Sequence, residues 1–292
     1  MRYIDLDLLV GDSRAQPLID AAEAARQEIL LEADPDRRQQ LIEAHHSRWV
    51  AFRPEFQRLF GNKCWYVECK NPGTDDDIDH YRPKGRIAED PTHGGYWWEA
   101  LNWKNFRLSC HRANRLRGNP ETGSTHGKGD HFPLIREEDR WRGPHDYPFL
   151  ERPALLDPTD PADPPLLSFD IDGSTAIAPQ YEGNAEAVKR VEESRIYLHL
   201  DWPAFKEDRQ ALYRAVYTRV NDGDEANTRF TRGEIGAKGD LKSAARDLIR
   251  LAGEKEPYSK AAQAYMWGFR DRDWMKAYVL PHIPALGPTN SA

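Results

Sequence analysis

The residues best suited to chemistry lie in one short segment, where an aspartate is followed directly by a histidine. The segment reads Asp77-Ile78-Asp79-His80-Tyr81-Arg82-Pro83-Lys84. Hydrolysis of a phosphodiester requires a base that deprotonates water and a hard cation that neutralises developing charge. Asp79 has the carboxylate that Mg²⁺ prefers, and His80 has an imidazole that is basic near neutral pH. Neighbouring side chains on a strand point to opposite faces, so these two can share a site only at a strand end or bulge.

A second group of polar residues follows further along the chain. Asn105 precedes a short apolar strand, and Asn114 opens a basic, helix-like segment. The side-chain amide of Asn105 can bond a ring nitrogen of His80 and fix its orientation. Asn114 can offer a neutral oxygen to the same cation as the aspartate. Arg115 and Arg117, which follow it, could hold phosphate.

Together the two elements resemble the HNH, or ββα-metal, nuclease motif. The match is acid-His-x-x-Pro, then Asn-apolar-x-Leu-x-Cys, then Asn-Arg-x-Arg-Gly. By that resemblance Asp79 and Asn114 would bind the metal. His80 would be the general base, and Asn105 would orient it. The implied activity is endonucleolytic hydrolysis with Mg²⁺ or Mn²⁺, on DNA in preference to RNA, although the chemistry does not need to exclude a 2′-hydroxyl.

The flanking segments are similar to those of a narrower group, the PtuB-like HNH proteins of retron and Septu systems. They are Lys63-Cys64-Trp65-Tyr66-Val67-Glu68, Tyr96-Trp97-Trp98-Glu99-Ala100-Leu101, His131-Phe132-Pro133-Leu134, Glu151-Arg152-Pro153-Ala154-Leu155-Leu156-Asp157-Pro158 and Pro257-Tyr258-Ser259-Lys260-Ala261-Ala262. Such proteins belong to bacterial anti-phage defence and usually act beside an SMC- or ABC-like ATPase. The resemblance therefore implies a defence nuclease with an ATPase partner.

The cysteines depart from this pattern. Relatives often hold a structural zinc with two Cys pairs, one before the Asp-His pair and one after the Asn strand. The four expected positions are occupied by Cys64, Val67, Cys110 and Ala113. Cys69 is out of register, and His111 could substitute only with rearrangement. Because tetrahedral zinc needs four ligands, we expect no structural zinc and interpret the thiols as buried packing groups.

Charge is distributed unevenly along the chain. The whole sequence has a net charge of -7, but between Asp79 and Gly118 eight basic and four acidic residues leave +4. A local basic patch is what phosphate contact needs, although a solvated face is the plainer alternative. The predicted nucleic-acid ligands are Arg82, Lys84, Arg115 and Arg117. Further candidate contributors to the site are Asp77, His111 and His131, of which the last could equally serve only in packing.

These residues must be positioned by an α+β fold, in which a small ββα core is embedded between helical regions. We predict an N-terminal helical region over 1–60, the HNH core over 61–142, a Pro-rich connector with a hairpin over 143–183, and a C-terminal helical region over 184–292. Asp34-Pro35 predicts a helix start, and Pro54 a kink. Asp172-Gly173 predicts a two-residue hairpin turn. Asn184 and Asp201 are predicted N-caps, with later helices near 237–252 and 258–278.

Composition limits the remaining possibilities. Aromatic residues make up 11% of the chain, which favours a globular protein over a disordered one. No stretch has the length of a membrane span, and acids stand where a signal peptide would be apolar, so we expect a cytoplasmic location. The rival hypothesis is a non-catalytic binding module that has kept the HNH shell. A zinc enzyme is a third reading, weakened by the shortage of ligands. We further expect His80 to face the surface, so that its loss would leave folding intact.

Overall fold

The chain forms a mixed fold of helices and short antiparallel strand pairs. The computed structural model describes residues 1–70, 76–118, 123, 125–146 and 150–284. The helices are Gln16–Leu31 (α1), Pro35–Ala44 (α2), His46–Val50 (α3), Arg53–Phe60 (α4), His111–Asn114 (α5), Ala185–Tyr197 (α6), Pro203–Thr231 (α7), Ala237–Leu251 (α8), Ser259–Trp267 (α9) and Asp273–Tyr278 (α10). The strands are Asp77–His80 (β1), Phe106–Ser109 (β2), Arg117–Gly118 (β3), Thr125–His126 (β4), Leu167–Phe169 (β5) and Thr175–Ile177 (β6). The strands form three antiparallel two-stranded sheets, β1 with β2, β3 with β4 and β5 with β6. The predicted α+β class is confirmed.

Helices α1 to α4 form the N-terminal region. The predicted start at Asp34 is confirmed, because its carboxylate accepts hydrogen bonds from the backbone N–H groups of Asp36 and Arg37. The predicted kink at Pro54 is wrong. The chain instead ends α3 at Val50 and starts α4 at Arg53, with the proline in the first turn of the new helix, where its missing N–H costs no bond.

The β1–β2 hairpin lies between two hydrophobic cores. On one side Ile78, Phe106 and Leu108 pack with the residues of α1 to α4. On the other side Tyr66 and Cys110 belong to a core built mainly from α6 to α10. Because a strand alternates its side chains between faces, Asp79 and Arg107 lie on the other face of the hairpin, where Asp79 accepts from the hydroxyl of Tyr66. This arrangement fixes the position of the hairpin within the molecule.

The C-terminal region is mostly helical. Asn184 caps α6 as predicted, with its side chain accepting from the N–H groups of Glu186 and Ala187. The predicted cap at Asp201 is wrong, because its carboxylate instead accepts from the backbone N–H and hydroxyl of Thr175 at 2.7 and 2.6 Å. The helix predicted near 258–278 is divided into α9 and α10. None of the described helices has the length and apolar character needed to cross a membrane.

The β5–β6 hairpin has a longer turn than the sequence predicts. The backbone N–H of Asp170 donates to the carbonyl of Ser174 at 2.9 Å, so three residues rather than two form the loop. Gly173 has φ +86°, and a Cβ there would lie 2.1 Å from the carbonyl oxygen of Lys206 on α7. The glycine is therefore needed both for the turn and for close packing against that helix.

Candidate active site

The predicted site residues converge because β1, β2 and α5 form a compact ββα unit. In the antiparallel register Asp79 lies opposite Arg107, and His80 lies opposite Phe106 at the end of β1. Helix α5 starts two residues after β2 and turns back toward β1. Asp79, His80 and Asn114 consequently border one open cleft of about 530 Å³. The strand end allows the neighbouring aspartate and histidine to reach the same space.

His80 is buried, with only 6% of its surface exposed. Its ring packs edge-on against Trp49 and Phe106, at centroid distances of 5.1 and 5.3 Å. The expectation that it faces the surface is therefore wrong, because helix α3 covers it. Its Nε2 lies 2.9 Å from the carbonyl oxygen of Ala100. A carbonyl only accepts, so Nε2 carries the proton and Nδ1 keeps a lone pair.

The electrostatic surroundings keep His80 neutral. Burial lowers its pKa well below the ordinary value of 6.5, and the positive charges of Lys84 and Lys128 lower it further. The hydrogen bond to Ala100 acts in the opposite direction but does not outweigh them. A neutral imidazole with one free nitrogen is the form that a general base requires.

Asp79 is buried and both of its oxygens have partners. Oδ1 accepts from the ammonium of Lys128 at 2.9 Å, and Oδ2 accepts from the hydroxyl of Tyr66 at 2.7 Å. Burial and the charge of Asp79 raise the pKa of Tyr66 well above its usual range, so the phenol remains a donor. Sequence reasoning missed both partners. For Lys128 the available signal was its place between two glycines, Gly127 and Gly129.

Asn105 does not bond the imidazole, contrary to expectation. Its Oδ1 accepts from the backbone N–H of Arg82 at 2.8 Å, and its Nδ2 donates to the carbonyls of Arg82 and Glu99 at 3.0 and 3.2 Å. It thus ties the segment after His80 to the segment that ends in Ala100, whose carbonyl holds the ring. Asn105 positions the histidine through two backbone segments.

Asn114 lies in a cluster around Asp77 at the end of α5. Its Nδ2 donates to Asp77 Oδ2 at 3.0 Å, while Arg115 donates to both carboxylate oxygens. His111 Nε2 lies 3.3 Å from the same carboxylate. Burial opposes ionisation of Asp77, but the hydrogen bonds from Arg115 and Asn114 outweigh it and lower its pKa. Asp77 therefore orients the amide of Asn114, whose Oδ1 accepts no hydrogen bond within the described part of the chain.

The four side chains predicted to bind phosphate lie in different environments. Lys84 borders the cleft with its ammonium 5.1 Å from the Trp49 ring, and Arg115 borders it as well. Arg82 instead donates to the buried Glu151 at 2.8 Å, so its charge is already paired in the interior. Arg117 lines a separate cleft on the other side of α5. Of the four, only Lys84 and Arg115 line the cleft that His80 borders.

Arg86 and His131 differ in their relation to the cleft. Arg86 borders it with 74% of its side chain exposed, and sequence reasoning did not single it out. His131 pairs with Glu89 at 2.8 Å and stacks on Tyr197 at a centroid distance of 4.4 Å. It is absent from the described lining of the cleft. The geometry therefore favours the packing alternative for His131.

A shared divalent cation would need donor oxygens from both Asp79 and Asn114. Oxygen ligands such as those of Asp79 and Asn114 suit Mg²⁺ and Mn²⁺ chemically. The Oδ1 of Asn114 accepts no hydrogen bond from the described residues, but each oxygen of the Asp79 carboxylate already accepts one, from Lys128 and from Tyr66. As arranged, the pair does not fit a shared cation, because the Lys128 ammonium already places a positive charge 2.9 Å from Asp79 Oδ1.

The three cysteines meet under the motif. Cys64, Cys69 and Cys110 are buried within hydrogen-bonding reach of one another. Burial opposes ionisation of Cys64, but S–H donation from Cys110 and Cys69 lowers its pKa. The turn after Cys64 brings Cys69 back beside it, and the N–H of Cys64 donates to the Cys69 carbonyl at 3.0 Å. Cys69 therefore joins the cluster although its position in the sequence is out of register with the expected zinc ligands.

The expected absence of zinc remains a prediction. His111, the substitute ligand considered above, is turned to Asp77. No group of three or more His, Cys, Asp and Glu side chains is arranged to hold a metal within the described ranges. Elemental analysis of protein expressed with added zinc should find well below one zinc per chain, unchanged by Cys64→Ser. One tightly held zinc per chain, lost in Cys64→Ser, would contradict it.

Comparison with known proteins gives one informative similarity. Over 140 residues the chain is 30% identical to the Septu protein PtuB of Bacillus mycoides (strain KBAB4). The match covers 46% of this chain and 43% of that protein, so it spans less than half of the relative's length. No family model matches the chain, and no solved structure does. The resemblance to PtuB-like proteins that the motifs indicated is confirmed.

Proposed function

We propose that this chain is an HNH-type endonuclease that hydrolyses phosphodiester bonds of nucleic acid, with DNA as the preferred substrate over RNA. The observation that supports it is the protonation state and position of the His80 imidazole. A neutral imidazole, with Nε2 committed to Ala100 and Nδ1 unprotonated, borders a cleft with Asp79 and Asn114. These are the residue types that the HNH resemblance requires, brought together by a ββα unit.

In the proposed reaction His80 accepts a proton from the attacking water through Nδ1. Its Nε2–H bond to Ala100 holds the ring during the transfer and stabilises the imidazolium that forms. Lys84 and Arg115 border the same cleft and would bind phosphate oxygens, which places the scissile bond beside the base. Lys84 makes no ion pair with a described carboxylate, so its charge is available to substrate.

We propose Mg²⁺ or Mn²⁺ as the cofactor. When bound, such a cation neutralises charge that develops on the phosphate oxygens. Asp79 and Asn114 are the residues that the resemblance assigns to it. Since Lys128 and Tyr66 now engage the carboxylate, binding at Asp79 needs a rearrangement of the ammonium.

We further propose a place in anti-phage defence beside an SMC- or ABC-like ATPase. The similarity to a Septu PtuB supports this assignment. Net charge also supports the need for a partner. Affinity for nucleic acid comes mainly from neutralised phosphates, and a chain with a net charge of -7 supplies few of the positive charges that this requires. The helical regions on either side of the ββα unit offer surface on which another protein could dock.

The test compares the chain alone with the chain mixed with the product of the neighbouring gene. Each sample is incubated with DNA and RNA in Mg²⁺ or Mn²⁺ at two salt concentrations. We expect weak, salt-sensitive cutting by the chain alone and a large gain in the mixture, with DNA cut faster. Robust multiple-turnover cutting by the chain alone, with no gain from the partner, would refute partner dependence.

A second candidate function is a nucleic-acid or protein-binding module without catalysis. The engagement of both Asp79 oxygens favours it, because a carboxylate paired with an ammonium is no longer a free ligand. Under this alternative, the complex would bind nucleic acid without cutting it in any metal. His80→Gln would then leave binding of nucleic acid by the complex unchanged.

A further inference from the structure

The segment Gly127-Lys128-Gly129, named here the glycine strap, is pressed against the end of α5. The N–H of Lys128 donates to the carbonyl of Ala113 at 3.0 Å, and the N–H of Gly129 donates to that of Asn114 at 2.7 Å. Gly127 has φ +138°, and a Cβ there would lie 2.2 Å from the carbonyl oxygen of Arg115. Only glycine permits so close an approach, so the backbone of the strap is fitted to this position.

The strap places one charged group inside the candidate active site. The side chain of Lys128 is 1% exposed, and its ammonium donates to Asp79 Oδ1 at 2.9 Å and to the carbonyl of His80 at 2.6 Å. A buried carboxylate needs a compensating charge, and here a lysine supplies it. Lys128 thus engages one oxygen of the carboxylate that the resemblance assigns to a metal ion.

We propose that Lys128 is the resident cation of Asp79, and that a divalent cation binds this carboxylate only after the glycine strap releases the ammonium. The inference rests on the proposed nuclease function, but the experiments that test it measure metal binding and not cleavage. A metal ion on Asp79 would lie about 2 Å from the carboxylate oxygen, so both cations cannot bind that oxygen without strong mutual repulsion. Any partner that lifts the strap would increase the affinity of the site for metal.

Lys84 offers a matched control. It also lies near Asp79 and lowers the pKa of His80, but it has no hydrogen bond to the carboxylate. A general effect of positive charge on metal binding would respond to the loss of either lysine. Direct competition for Asp79 Oδ1 would respond only to the loss of Lys128.

The experiment measures Mn²⁺ binding by the full chain without nucleic acid, by the decrease of the free Mn²⁺ electron paramagnetic resonance signal. Lys128→Met keeps the length and removes the charge, and we expect it to bind Mn²⁺ at least about tenfold tighter than wild type. Lys84→Met should change affinity much less, and adding Asp79→Asn to Lys128→Met should remove the tight site. No tighter Asp79-dependent site, or an equal gain in Lys84→Met, would overturn the proposal.

A second measurement titrates the wild-type chain and needs a variant only to assign one signal. The buried Lys128 ammonium should give a slowly exchanging nitrogen signal in protein labelled with ¹⁵N-lysine, assigned by its absence in Lys128→Arg. Titration with Mg²⁺ should remove this protection in parallel with binding. Saturation with Mg²⁺, shown by calorimetry, while the Lys128 signal stays protected would overturn the proposal. Because cleavage is not measured, a catalytically inactive chain would leave this result intact.

Discussion

Replacement of His80 by glutamine is expected to abolish cleavage in the active complex while the chain stays folded. The side-chain amide can still donate to the carbonyl of Ala100 and fill most of the ring's volume, but it cannot accept a proton from water. Loss of a general base costs roughly 10²- to 10⁴-fold in rate. The measurement is single-turnover cleavage by His80→Gln and wild type, each saturated with partner. Undiminished cleavage by the folded variant would exclude His80 as the base.

The burial of His80 requires glutamine rather than alanine as the main variant. Alanine would leave a cavity between the Trp49 and Phe106 rings, and an unpaired carbonyl at Ala100. The cost of such a cavity is on the order of 2–4 kcal/mol in the free energy of unfolding. His80→Ala should therefore lose stability as well as cleavage, whereas His80→Gln should lose mainly cleavage. Urea denaturation of both variants separates the two effects.

The pH dependence gives an independent test of the same residue. The folded pKa of His80 lies below the ordinary 6.5, so the unfolded chain binds a proton in the window just below that pH while the folded chain does not. Protonation then favours unfolding, and stability falls as the pH decreases through this window. His80→Gln should reduce that slope, and the acid limb of the cleavage profile should lie below pH 6.5. An acid limb above that value would contradict a neutral, buried base.

Replacement of Glu68 by glutamine should produce the largest loss of stability. The carboxylate is 1% exposed and accepts from the ammonium of Lys63 at 2.7 Å and from the hydroxyl of Ser259 at 2.7 Å. The α-amine of Met1 lies 3.0 Å from its other oxygen. Without the negative charge, two buried cations would lack an anion. Breaking such a buried pair costs about 3–5 kcal/mol.

The control for Glu68→Gln is Glu254→Gln. Glu254 pairs with Arg2 at 3.1 Å, but 75% of its side chain is exposed, so water screens the charges. Its removal should cost less than about 1 kcal/mol. Urea denaturation at fixed pH compares the two, and a Glu68→Gln variant within 1 kcal/mol of wild type would show that the buried charges relax to other partners.

Acid titration should show the same contribution of Glu68. Burial alone would raise its pKa, but the charges of Lys63 and Met1 outweigh burial and lower it well below the ordinary 4.5. Its stabilising effect is therefore present above that pH and is lost as the pH falls toward the folded pKa. Glu68→Gln should flatten the stability profile below about pH 4.5.

The sequence by itself determined the parts of the structure that depend on neighbours along the chain. Asp34 and Asn184 cap helices because their side chains reach N–H groups two and three residues ahead. The ββα unit follows from a short apolar strand, a turn and a second polar segment, so Asp79, His80 and Asn114 could be assigned to one site. They were identified because their types and order along the chain match the HNH motif that the sequence resembles.

Only the tertiary structure decided which of those residues are free to act. Arg82 is bound by Glu151, 69 residues away, and Asn105 bonds the backbone of Arg82, 23 residues away, rather than the ring of His80. Lys128 contacts Asp79, 49 residues away, because the glycine strap lies against the end of α5. Periodicity and spacing describe neighbours along the chain. The pairing of a buried charge depends on which distant group fills the space around it, and only packing determines that.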